Sequence, residues 1–114
     1  MVIVVMAAAQ AEAALVGRDL AERLGWRCVD ADAPHTSADL RVVVERSADR
    51  REPLVLACER LAAAQRSHLA NGLRYVRFVS LGTALEPGTD VALVLNDAAD
   101  VAINVDRIRR EFGL

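Results

Sequence analysis

An α/β fold, a three-layer sandwich with helices on both faces of a five-stranded parallel sheet, is what this sequence predicts, and three observations carry it. Solid apolar runs at Val2–Met6 and Leu54–Cys58 have the pattern of strands covered on both faces, and Val91–Leu95 reads as a further strand. The segments between them switch to helical periodicity, as in Ala13, Val16, Leu20, Leu24 and in Val101, Val105, Ile108, Phe112. The element order β-α-β-α-β-α-β-β-α then implies parallel strands joined by crossover helices.

Each element can be justified in turn. Val2–Met6 is β-branched and wholly apolar, so it should be a central strand. From Gln10 to Leu24 a helix buries Ala13, Val16, Leu20 and Leu24 and turns Arg18, Glu22 and Arg23 to water, with Gly25 as its stop. Trp26–Val29 reads as a short strand, and Asp30–Pro34 as a loop with turn chemistry. Thr36 or Ser37 can cap a helix with Leu40, Val43 and Val44 on its inner face, and the charged piece Asp49–Pro53 ends it. A helix from about Glu59 to Ala70 should carry Leu61, Ala64 and Leu69 inward and stop at Asn71-Gly72. Tyr75–Leu81 is the fourth strand, Gly82–Asp90 a loop containing Pro87-Gly88, Val91–Leu95 the fifth strand, and about Ala98–Phe112 the last helix.

Composition narrows the function classes. A chain of 114 residues predicts one domain, and with 54% hydrophobic but 4% aromatic residues its core should be aliphatic. The formal charge of −2, with no basic block, argues against nucleic acid or an anionic membrane as partner. All 14 basic residues are Arg, which excludes a lysine that grips a phosphate or forms a Schiff base. Two cysteines, Cys28 and Cys58, cannot make a disulfide framework; with no CxxC or HxxxH spacing they read as buried small hydrophobes, and no metal site is expected. Met1–Met6 lacks a basic leader region and is too short to span a bilayer, so a cytoplasmic domain is the expectation.

The segments MVIVVM, VGRDLAERLGWRCVDAD, PLVLACERL, YVRFVSL and TALEP together resemble the gluconate kinases, small P-loop carbohydrate kinases related to shikimate and adenylylsulfate kinases. The resemblance runs through most of the chain and is most specific from Gly17 through Asp32, with His35. It implies a strand order of 2-3-1-4-5 and an ancestral ATP-dependent sugar-acid kinase. Such kinases follow the first strand with GxxxxGK[ST], in which glycines let backbone N–H groups wrap the phosphates, Lys reaches the outer phosphates and the hydroxyl holds Mg²⁺.

Aligned on Gly17, the glycine positions fall on Ala7, Gln10 and Glu12, the lysine on Ala13 and the hydroxyl residue on Ala14. None of the required groups is present. Alanine in place of glycine adds a Cβ where the backbone should approach a phosphate. Glu12 adds a negative charge, and two like charges about 4 Å apart repel by roughly 4 kcal/mol at an intermediate effective dielectric. The plainer reading of the same residues is structural: an acid in the first turn suits the helix dipole and alanine is the best helix former.

Other departures agree. The family's arginine-bearing lid is replaced by a direct passage from the fourth strand to TALEP, and its ACSALKR helix start is here Ala57, Cys58, Glu59, Arg60, Leu61, Ala62, Ala63, without lysine. The stretch from His35 to Pro53 is too short for the full sugar-acid pocket. Three family-like polar positions survive as candidate ligand contacts: Asp32, His35 and Arg66. The plainer alternative makes Asp30 and Asp32 turn residues, His35 a solvated residue before a helix, and Arg66 a solvated or salt-bridged surface residue.

Three functions follow, in this order. The first is a non-catalytic, kinase-like domain without cofactor, acting as an interaction or oligomerisation module with a protein partner or a second copy. The second is a sensor of a small sugar acid or polyol through Asp32 and His35. The third, ranked last, is a residual gluconokinase-type phosphotransferase.

Overall fold

The computed structural model describes residues 1–31, 37–73, 75–82 and 90–114. Its strands are β1 (Val2–Ala7), β2 (Arg27–Asp30), β3 (Leu54–Glu59), β4 (Val76–Leu81) and β5 (Val91–Leu95); its helices are α1 (Gln10–Leu24), α2 (Ser37–Asp49), α3 (Ala63–Ala70) and α4 (Val101–Phe112). All strand pairs are parallel, in the order β2-β3-β1-β4-β5. This is the fold class and strand order that the sequence predicts.

β1 lies at the centre because all of its side chains are apolar and can be covered from both sides. Every residue from Val2 to Ala7 is fully buried. Alternate side chains enter two cores. Ile3, Val5 and Ala7 join Val16 and Leu20 of α1 and Val105 and Ile108 of α4, whereas Val2, Val4 and Met6 join Leu40 and Val44 of α2 and Leu69 of α3. Helices therefore cover both faces of the sheet, α1 and α4 on one and α2 and α3 on the other.

Two local devices set the helix positions. Gly17 faces β3, where an added Cβ would lie 3.1 Å from the Ala57 Cβ and 3.4 Å from a Val55 methyl, so α1 docks on the sheet through its one interior glycine. On the other face Arg41 of α2 donates from Nη1 to the carbonyls of His68, Leu69 and Asn71 and from Nε to Glu45. It thereby satisfies the exposed carbonyl end of α3.

The third helix departs from expectation. β3 runs on to Glu59 and α3 starts at Ala63, so Leu61 is buried ahead of the helix, Ala64 is exposed, and the inward residues of α3 are Arg66 and Leu69. A short helix with one arginine turned inward has no clean apolar stripe to read. Asp30 also differs, as the last residue of β2 rather than a loop residue.

The docking at Gly17 is testable. Gly17→Val should lower stability by about 1–3 kcal/mol through overpacking against Ala57 and Val55, read as a fall in midpoint in urea. Gly17→Ala should be nearly neutral, because its tight contact is offset by about 1 kcal/mol of helix propensity.

Candidate functional site

Open α/β sheets bind ligands beyond the carboxyl ends of their strands, at the point where the strand order reverses. Here that point is the end of β1 beside β4. β1 ends at Ala7 and α1 begins at Gln10, so a two-residue turn, Ala8 and Ala9, joins them. Ala9 is the N-cap, in extended conformation and with no side-chain oxygen to offer; Glu12 and Ala13 donate their N–H groups to its carbonyl. The segment from Gln10 to Ala14 is therefore already helix. Glu12 is exposed in its first turn, and Ala13 and Ala14 are buried against the sheet.

Two side chains cross the strand ends. Gln10 donates from Nε2 to the Ala57 carbonyl of β3 at 3.1 Å, and its Oε1 is buried without a hydrogen-bond partner. Arg60, just beyond β3, donates its backbone N–H to Ala7 at the end of β1 and its Nη2 to the Leu81 carbonyl at the end of β4. Because β1 lies between β3 and β4, the Arg60 side chain passes over the end of β1. Gly82, at φ +86°, makes room for it: a Cβ there would lie 2.7 Å from Arg60 Nη2 and 3.1 Å from Asp97 Oδ2. The structure thus sets one guanidinium over the end of β1, near the carboxylate of Asp97.

Of the three candidate ligand contacts, Arg66 is the one that lies among the described residues. Asp32 and His35 lie outside the described residues, as do Thr36 and the TALEP segment. Arg66 is described and is not a surface residue. It is completely buried, with Nε and Nη2 on the two carboxylate oxygens of Asp90 at 2.8 and 3.2 Å and Nη1 on the Leu61 carbonyl at 2.9 Å. This forked pairing ties α3 to the residue before β5, a structural task for which arginine's planar geometry suits it. Asp30 is likewise engaged, accepting from Nε and Nη2 of Arg18.

The cysteines sit on adjacent strands but on opposite faces. Cys28 packs with the α1 core and Cys58 with the α2–α3 core. Burial pushes the Cys58 thiol up to about 12, with Glu59 adding to it; burial and then Asp30 push Cys28 up to about 11. Neither is a thiolate at neutral pH, so neither is an activated nucleophile. Among the described residues no group of three or more His, Cys, Asp or Glu could hold a metal ion, and no helix is long and apolar enough to cross a membrane.

No protein-family model and no curated protein matches the sequence. Solved structures do. A sugar kinase from Janibacter sp. HTCC2649 superposes with a TM-score of 0.80 at 19% identity, over 98% of this chain and 94% of that one. A gluconokinase from Sinorhizobium meliloti 1021 gives 0.77 at 21% identity, over 98% and 91%. The fold is that of the P-loop kinases. A hexameric APS kinase from Thiobacillus denitrificans, with a TM-score of 0.73 and 14% identity, matches 99% of this chain within 29% of its own length.

Within this fold, sequence reading located β1, the turn and α1, but not Arg60, Gly82 and Asp97. Their meeting depends on the sheet order, and a Gly after a strand was the single visible hint. Two outcomes test the site description. The Arg66 guanidinium holds the Asp90 carboxyl below its ordinary value of 3.8, so that stabilisation is complete above this value and is lost as pH falls through the lowered one. Asp90→Asn should therefore flatten the loss of stability below about pH 4, and Asp90→Ala should cost on the order of 2 kcal/mol at pH 7, less than for a fully buried pair because Asp90 is partly exposed. Separately, iodoacetamide at pH 8 should leave Cys28 and Cys58 unmodified in the folded protein and alkylate both in denaturant.

Proposed function

We propose that this protein is a P-loop-kinase-fold domain that neither binds nucleoside triphosphate in the manner of that fold nor transfers phosphate, and that it works through association, with a second copy of itself as the first partner. The observation that carries the first half is the junction at Ala8 and Ala9. A loop that cradles phosphates needs several consecutive N–H groups free to point at the ligand. Here the chain enters the helix within two residues, the segment 7–14 contains no Gly, Lys, Ser or Thr, and Gln10 and Arg60 bond across the strand ends.

Support for association comes from the outer surface. Leu15 of α1 and Ile103 of α4 are 60% and 54% exposed on helices that pack side by side, and Val94 is exposed on the edge strand β5. Exposed apolar residues on neighbouring elements, one of them an edge strand, favour contact with another chain. One solved neighbour of the fold, the APS kinase, is described as hexameric.

The test has two parts. Incubation with ATP, Mg²⁺ and gluconate or shikimate should release no ADP above the no-enzyme rate; steady turnover would end the non-catalytic reading. Light scattering across a concentration series should show a mass above that of one chain, restored to one chain by Leu15→Glu with Ile103→Glu. A strictly monomeric wild type would remove self-association and leave the first half standing.

A further inference from the structure

At the opposite end of the sheet, away from the junction, a cavity of about 190 Å³ opens between edge strand β2 and the last turns of α2. Arg27 lines it from the start of β2, Arg46 from the last turn of α2, and Arg50 from the turn that follows that helix. Val29, Val43 and Leu54 give it an apolar wall, and Glu52 is the one acid among its lining residues.

Three arginines line one cavity here with a single carboxylate among its lining residues. Arg18, Arg23, Arg41 and Arg66 each pair with a carboxylate. Among the described residues, Arg27, Arg46 and Arg50 make no ion pair or side-chain hydrogen bond, even to Glu52. Two of them have a local explanation, since cations suit a helix C-terminus. That explanation does not reach Arg27, which belongs to a strand. Nor does the helix end cancel the charge: three guanidiniums face one carboxylate and roughly half a negative charge from the α2 dipole, a clear positive excess.

The corner beneath them is held rigid. Glu52 donates its N–H to the Ser47 carbonyl and accepts from the Ser47 hydroxyl, while Arg51 takes the left-handed conformation, φ 55°, that closes a helix end. The cavity is thus framed by a fixed turn on one side and the sheet on the other, rather than by side chains alone.

We infer that this cavity is a binding site for a small organic dianion, a phosphate ester or dicarboxylate, held by Arg27, Arg46 and Arg50 with its carbon skeleton against Val29, Val43 and Leu54. Guanidinium forks match carboxylate and phosphate oxygens, and the apolar wall favours an organic anion over a bare ion. The volume lies below the roughly 300–1,000 Å³ of sites for drug-sized ligands, so it suits a small anion better than a nucleotide. The inference is independent of the closed junction at the other end of the sheet.

Calorimetry at low ionic strength with glycerol 3-phosphate and with succinate tests it, and the stronger of the two identifies the head group. At least one should bind saturably, glycerol should not, and added chloride should weaken the binding. Arg27→Gln and Arg50→Gln should each weaken it by about tenfold, the loss of one charge-assisted hydrogen bond. Arg107→Gln, on α4 across the sheet, and Arg60→Gln should leave it unchanged. In the wild type, amide shifts on titration should centre on Val29, Val43 and Leu54. Absence of saturable binding by both probes, binding untouched by Arg27→Gln and Arg50→Gln, or shifts centred elsewhere would each overturn the assignment.

Discussion

Strand β1 has no solvent-facing side, and the rest of the molecule is arranged to keep it so. Its six side chains alternate between two cores, and burying each of the larger ones is worth roughly 1.5–3 kcal/mol. That gain exists only if β3 and β4 flank it and helices close both faces. Gly17 brings α1 against β3 on one side, and the Arg41 contacts join α2 to α3 on the other. A strand so completely enclosed places little demand on the turn at its end, because the turn contributes little to its burial.

The fold was legible because its signals are local and redundant. Apolar runs marked β1, β3 and β5, and helical spacing marked α1 and α4. Misreading was confined to places where a distant residue decides the outcome. Arg66 looks like a surface residue of a mixed helix; it is buried because Asp90, 24 positions on, supplies a forked partner. The same reasoning explains why Ala64, apolar but unpartnered, is on the outside. Arg60 could not be assigned from sequence, since its reach to Leu81 requires β1 to lie between β3 and β4. The unpaired state of Arg27, Arg46 and Arg50 was hidden for a similar reason: sequence shows charge but not who is absent around it.

The two ends of the sheet carry contrasting chemistry. At the carboxyl ends of the strands, where this fold ordinarily meets its ligand, polar groups are turned on the protein itself: Gln10 on Ala57, Arg60 on Leu81, and helix N–H groups on Ala9. At the other end, guanidiniums around a cavity are left without partners among the described residues.

The account turns on the state of the Ala8–Ala9 junction in solution. Adding Mg²⁺-ATP to isotopically labelled protein and following the amides of residues 8–14 together with the Arg60 side-chain Nε–H examines it directly. Unshifted signals at millimolar nucleotide are expected, since the Glu12 and Ala13 amides are bonded to the Ala9 carbonyl and Arg60 is tied through Nη2 to the Leu81 carbonyl. Saturable shifts confined to these groups would mean that the junction opens and receives phosphate, and would contradict the account.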